Sequence, residues 1–160
     1  SFLRISEIQG WPRVMMIQNP YSLLNRTFEV GLAEIVAREK CGLMAYSPLA
    51  FGLLTGKYSQ NHTPENMRIT KYSNASKRYT KPRGFRAAAV YLDLAQKYDL
   101  LPSQMALAFN LSRPFVTSTI IGATNLEQLA NNIASVEIKL SNDLLREIED
   151  AHDNDPYPCP

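Results

Sequence analysis

Val116-Thr117-Ser118-Thr119-Ile120-Ile121-Gly122-Ala123-Thr124-Asn125-Leu126-Glu127-Gln128 passes from an apolar run to a helix start within four residues. The run Val116 to Ile121 is β-branched almost throughout, as a strand packed on its faces should be. Gly122-Ala123-Thr124 supplies the turn, and Asn125 with Gln128 has the spacing of a capping box that opens a helix through about Ile133. A strand that feeds a helix in this way is half of a parallel β/α unit, which sets the fold class as α/β.

Working outward, Val14-Met15-Met16-Ile17 ends at the polar Gln18-Asn19-Pro20 and predicts a first, fully buried strand followed by a loop. Phe28, Leu32, Ile35 and Val36 recur at helical spacing up to Cys41. Asn25 or Thr27 can cap that helix, and Gly42 follows at its stop. Leu43-Met44-Ala45-Tyr46, closed by Ser47-Pro48, predicts a second buried strand. Leu49 to about Arg83 is rich in Asn, Ser, Thr, Pro and Lys, and its length in a compact domain points to a functional loop. Helices follow over 85–98, from Pro102 to about Ser112, and from a Ser141 cap over 144–151, before the Pro-rich tail 155–160. Phe2, Leu3, Ile5 and Ile8 read as the end of an amphipathic helix. Three parallel strands cannot close a barrel and leave two sheet edges open, so the chain, which starts at Ser1, reads as part of a larger domain.

The 160 residues are 45% hydrophobic and 20% charged with a net charge of +2, ordinary values for a soluble globular protein. Cys41 and Cys159 are the only cysteines and have no metal-ligand or disulfide-framework spacing, which suits a reducing, cytoplasmic setting. No apolar run approaches the ~20 residues of a membrane span. His62 and His152 lie without a carboxylate or cysteine at ligand spacing and read as surface histidines; no metal site is expected.

Two features suit phosphate. Gly122-Ala123-Thr124-Asn125 sits where a strand turns into a capped helix, so its backbone amides and the positive helix end face whatever binds there; a plain tight turn is the alternative. Gly52 and Gly56, with Thr55 and Lys57, suit a loop whose backbone approaches a phosphate, or equally a turn with a surface lysine. Between Asn66 and Leu92 there is no acidic residue, while Arg68, Lys71, Lys77, Arg78, Lys81, Arg83 and Arg86 fall there. Tyr72, Tyr79 and Phe85 could serve as stacking groups for nucleic acid, but the chain is nearly neutral elsewhere and has no nucleic-acid motif, so no such partner is expected. A nucleotide 2′-phosphate needs only one or two of these cations.

Three segments, taken in order and spacing, resemble the aldo-keto reductases: Ile17-Gln18-Asn19-Pro20-Tyr21-Ser22, Tyr46-Ser47-Pro48-Leu49-Ala50-Phe51-Gly52-Leu53-Leu54-Thr55-Gly56-Lys57-Tyr58, and Ile121-Gly122-Ala123-Thr124-Asn125-Leu126-Glu127-Gln128-Leu129 with Asn132. Within that family the chain is similar to the bacterial Tas-like reductases and, more distantly, to the voltage-gated potassium channel β subunits. The resemblance implies a TIM (β/α)8 barrel in which residues 1–160 supply strands six to eight, with the N-terminal half absent. It implies NADP(H) at the C-terminal mouth, where barrel phosphate sites are commonly built. Gln18 is then placed on the nicotinamide carboxamide and the Tyr46 ring against the nicotinamide. Ser47, Pro48, Leu49, Gly52 and Lys57 line the pyrophosphate, and Gly122, Thr124, Gln128 and Asn132 the adenosine end. Arg78, with Arg68 in reserve, meets the 2′-phosphate.

The family's tetrad of Asp, Tyr, Lys and His comes from the N-terminal half, and no residue here matches it, so no catalytic residue is assigned in this chain. The implied activity of the full-length protein is NADPH-dependent reduction of aldehydes or ketones. The alternatives are a cofactor-binding regulatory protein resembling the channel β subunits and a half-barrel that assembles through its open edges. The expected partners are a small carbonyl substrate and either the missing half or a second chain over those edges.

Overall fold

The computed structural model describes residues 2–58, 68–72, 74 and 77–160, without the side chains of Arg68 and Thr70. His62 and most of the stretch after Tyr58 therefore lie outside the described residues. The elements in chain order are α1 (Phe2–Gln9), β1 (Met16–Pro20), α2 (Leu32–Glu39), β2 (Gly42–Tyr46), α3 (Arg68–Lys71), α4 (Pro82–Lys97), α5 (Pro102–Leu111), β3 (Val116–Thr119), α6 (Leu126–Ala134) and α7 (Asn142–Asn154). Short 3₁₀ turns cover Thr27–Val30, Ala50–Thr55 and Ser135–Glu137.

The three strands form one parallel sheet in the order β1-β2-β3. Gln18 pairs with Met44, Pro20 with Tyr46, and Ala45 with Thr119. Side chains alternate across a strand, so paired positions share a face. Leu43 and Ala45 point to the helix-covered face and are fully buried, together with Met105 and Phe109 of α5 and Tyr21, Leu23 and Leu24 after β1. The opposite face carries Met16, Gln18, Met44, Tyr46 and Ser118, and no described helix covers it.

Several local expectations are corrected. β1 starts two residues later than expected and runs through Gln18-Asn19-Pro20, the segment read as a loop. It is not fully buried: Met15 and Met16 are exposed, because β1 pairs on one side only and one face of the sheet is open. The helix expected over 28–41 is a 3₁₀ turn and then α2, broken at Gly31, whose φ of 154° does not belong to a helix. Asn25 Oδ1 accepts from the Thr27 amide and hydroxyl, a local Asx arrangement, and Lys40 in the left-handed region ends α2. Gly42, expected at the helix stop, instead opens β2, paired with Met16, and a side chain there would collide with Thr117 of β3. β3 stops at Thr119, short of Ile120 and Ile121.

The caps fare better. Asn125 Oδ1 accepts from the Gln128 amide at 2.8 Å, and Ser141 Oγ accepts from the Leu144 amide at 3.2 Å. α4 begins at Pro82, three residues earlier than expected, with proline in the first turn where its missing N–H costs nothing. The Pro-rich tail folds back on the body: Arg83 pairs with Asp155, and the Cys159 amide donates to the Leu24 carbonyl at 3.0 Å.

Candidate functional site: the C-terminal edge of the sheet

Parallel strands bring their C-terminal ends to one edge, and that edge gathers the three segments. The Tyr21 amide donates to the Tyr46 carbonyl at 3.2 Å, and the Ile120 amide to the Ala45 carbonyl at 2.8 Å, so the chain leaves β1, β2 and β3 side by side. Gln18 is exposed and Tyr46 half-buried on the uncovered face of the sheet. Their side chains are free to meet a ligand lying across the strand ends, the position open α/β sheets use.

The loop after β2 is conformationally costly. Ser47, Ala50 and Phe51 adopt φ of 55°, 48° and 60°, and Gly52 and Gly56 take 99° and 77°. Left-handed backbone at non-glycine residues persists only where the surroundings over-determine it, and such strain gathers at functional sites. Gly52 is required twice over, by its φ and by Tyr58, whose ring a Cβ would meet at 2.9 Å. Pro48 is buried, Leu49 is half-buried against the core, and Lys57 is exposed. Thr55 Oγ1 donates to the Gly52 carbonyl at 2.7 Å and closes the turn.

Beyond this loop lies the basic segment. Arg78 is half-buried beside the Tyr79 ring, its guanidinium carbon 6.0 Å from the ring centroid. Among the described residues, Lys57 and Arg78 make no ion pair, whereas Arg83 is committed to Asp155. Uncommitted cations beside a strained glycine loop fit a phosphate-bearing ligand. The Arg68 side chain lies outside the described residues.

At the third segment the expectation of free amides is only partly met. Gln128 Oε1 accepts from the Thr124 amide at 3.1 Å and from the Thr124 hydroxyl at 3.0 Å, and the Gln128 amide is held by Asn125. The cap thus consumes two of the donors that were expected to face outward. Gly122 is exposed with open space beside it, and the buried Asn132 donates Nδ2 to the Gly122 carbonyl at 3.4 Å, fixing the turn onto α6.

The sheet edge, the glycine loop and the capped turn bring together the three segments of the aldo-keto reductase pattern, and comparison with known proteins agrees. The Aldo/keto reductase family profile matches residues 2–153. The chain belongs to the aldo/keto reductase family. Protein tas of Escherichia coli is 48% identical over 159 residues, covering 99% of this chain and 46% of tas. An L-glyceraldehyde 3-phosphate reductase of Escherichia coli is 33% identical over 135 residues, 81% of this chain and 39% of that protein. A putative voltage-gated potassium channel subunit beta of Schizosaccharomyces pombe is 33% identical over 140 residues, 83% and 40% respectively. The chain spans about half the length of the curated relatives it matches. The family implies a TIM barrel, and a three-stranded parallel sheet is consistent with part of one.

Some residues escaped the sequence. His152, expected at the surface, is 8% exposed, because α7 turns it inward against Tyr157 of the returning tail. Arg26 is 4% exposed and bridges Glu29 at 2.8 Å and Glu149 at 2.7 Å. Only the i, i+3 spacing of Arg26 and Glu29 was readable; Glu149 is 123 residues away. Tyr79 stacks on Phe51 with centroids 6.0 Å apart and planes at 16°, a contact no local pattern predicts. A groove of about 900 Å³ is lined by Tyr98, Arg113, Arg146 and Glu147, toward the start of β3 and away from the candidate site. Among the described residues no group of His, Cys, Asp or Glu could hold a metal, and no helix is long and apolar enough to cross a membrane.

Proposed function

We propose that this chain supplies strands six to eight of an aldo-keto reductase barrel and carries much of its NADP(H) site, the full-length protein reducing aldehydes or ketones to alcohols. The observation that carries the reading is the placement of Gln18, midway along β1, and Tyr46, at the end of β2, on one uncovered sheet face beside a strained glycine loop with uncommitted cations. In a barrel that face is the interior, so a ligand at its mouth meets both side chains.

In this reading Gln18 hydrogen-bonds the carboxamide of the nicotinamide, and the Tyr46 ring fixes which nicotinamide face is presented. The glycine loop from Ser47 to Lys57 closes on the pyrophosphate, with Lys57 as its counter-charge. Arg78 meets the 2′-phosphate by a charge-assisted contact that only NADP(H) can use. The turn Gly122 to Thr124, held by Gln128 and Asn132, carries the adenosine end. When bound, the dinucleotide supplies hydride to the carbonyl carbon. The proton for the oxygen must come from outside these 160 residues, since none matches the family's tetrad. Tyr46 is unsuited to that role, because its ring is committed to the stack. The exposed Met15 and Met16 at the start of β1, and Ile120 and Ile121 after β3, are surfaces that the remaining strands cover in such a barrel. Two buried, unpaired cysteines suit a reducing, cytoplasmic setting.

Titration of the full-length protein with NADPH and NADH by calorimetry, alongside turnover of 4-nitrobenzaldehyde, tests the reading. We expect tighter binding of NADPH, weaker binding of both cofactors in Tyr46→Ala, and turnover. Absence of binding, or equal affinity for the two cofactors, overturns the NADP(H) assignment. Binding without turnover of any carbonyl favours a regulatory protein similar to the channel β subunits.

A further inference from the structure

We propose that Tyr79 is a positioning residue of the cofactor site, joining the strained loop after β2 to the basic segment so that Ser47, Phe51 and Arg78 are held in one arrangement. The inference rests on the NADP(H) reading above and deepens it.

Tyr79 is 3% exposed although its neighbours Thr80 and Lys81 are exposed, so one side chain of a polar, basic stretch has been driven into the body. Three contacts define where it goes. Its ring stacks on Phe51, its phenol faces the Ser47 side chain, and the Arg78 guanidinium carbon lies 6.0 Å from its ring centroid. Ser47 and Phe51 are two of the three non-glycine residues of that loop with left-handed backbone. Conformations of that kind need support from outside the loop, and Tyr79 supplies it at both positions.

Tyr79 is itself anchored from behind. Its carbonyl packs on Gly84 of α4, where a Cβ would come within 3.0 Å, and the Cys159 sulfur of the returning tail lies 2.9 Å from the same point. Any side chain at position 84 would push the Tyr79 backbone or the tail away. The ring is therefore a fixed pillar between the tail and the loop, and Arg78, the cation proposed to discriminate NADP(H) from NAD(H), immediately precedes it in the chain. Loss of the pillar should act on the phosphate contacts in two separable ways. Its hydroxyl serves the Ser47 link, which concerns both cofactors alike. Its ring fixes Arg78, which concerns the 2′-phosphate alone.

The test measures NADPH and NADH dissociation constants for the full-length protein and its Tyr79→Phe, Tyr79→Leu, Ser47→Ala and Ser47→Ala/Tyr79→Phe variants, with thermal melting as the check on folding. Tyr79→Phe should weaken both cofactors by about fivefold, the size expected for one hydrogen bond, and leave their ratio unchanged. Ser47→Ala should do the same, and the double variant no more than either single one. Tyr79→Leu should cut the preference for NADPH by about tenfold or more, because the charge-assisted contact loses its geometry. An unchanged NADPH to NADH ratio in Tyr79→Leu, or additive losses in the double variant, overturns the inference while leaving the cofactor site standing. If the unsubstituted protein binds neither cofactor, the NADP(H) reading fails and this inference with it. Should Tyr79→Leu fail to fold, the double-variant comparison decides.

Discussion

The Asn110 side-chain amide donates to the Tyr21 carbonyl at 2.9 Å, joining the end of α5 to the residue that follows β1. Both residues are completely buried. Because the Tyr21 amide is bonded to the Tyr46 carbonyl, one polar side chain from a helix 89 residues away sets how β1 and β2 end together. Asn110→Leu strands the Tyr21 carbonyl and should cost about 1–3 kcal/mol. The check is the urea midpoint, which should fall with an unchanged slope; an unmoved midpoint would contradict the role given to Asn110.

Gly42→Ala should be destabilising out of proportion to one methyl group. The new Cβ would collide with Thr117 Oγ1 and lie 2.8 Å from Thr117 Cβ across the β2–β3 pair, and neither strand can move without breaking its ladder. A loss of about 1–3 kcal/mol is expected, the usual scale of overpacking. Thr117→Gly in the same background should recover part of the lost melting temperature, which an unrelated effect of alanine would not allow.

The buried cluster around Arg26 sets the acid side of the stability profile. Burial opposes the charge on Glu29, yet hydrogen bonds from Arg26 and Tyr21 outweigh it and hold the carboxyl below its ordinary 4.5. Burial pushes the His152 imidazole below its ordinary 6.5, and the Arg26 charge adds to that against the pull of Glu29, Glu149 and Asp153. In both cases the unfolded chain binds more protons than the folded one at low pH, so folding is weakened as pH falls. His152 contributes from about pH 6.5 downward and Glu29 from about pH 4.5 downward. Melting temperatures between pH 8 and pH 4 should decline in this order, and His152→Gln should flatten the upper part only. A stability maximum at pH 5 would be incompatible with these shifts.

Arg78→Ala should raise the NADPH dissociation constant by about tenfold or more, as loss of a charge-assisted phosphate contact does, with NADH changed far less. Equal losses for the two cofactors would move the 2′-phosphate contact to another cation of the segment, with Arg68 the first to substitute.

Much of this architecture was legible because it is written locally. The capping residues Asn125 and Ser141, the proline-led α5 and the apolar runs of β2 and β3 each carry their signal within a few residues, and the strand–turn–helix order dictates a parallel sheet. The same order places Tyr46 and the turn at Gly122 at one edge, since parallel strands have their C-terminal ends together, whereas Gln18 sits midway along β1, level with Met44. Where local signals misled, a tertiary neighbour had the deciding part. Gly42 reads as a helix stop but is a strand residue shaved for Thr117, and His152 reads as a surface histidine but is capped by Tyr157.

The sequence by itself determined the order and kind of the elements, the parallel sheet and the family, because hydrophobic period, turn chemistry and motif spacing are properties of neighbouring residues. Only the tertiary structure decided which polar side chains are spent on holding the site and which stay free. Gln128 proved to be tied to Thr124 and Asn132 to Gly122, while Lys57 and Arg78 carry no ion pair among the described residues. It also brought Tyr79 against Ser47 and Phe51 and Asn110 against Tyr21. Contacts between residues far apart in the chain depend on how whole elements pack, and packing answers to the sum of many side chains rather than to the pattern of any one segment.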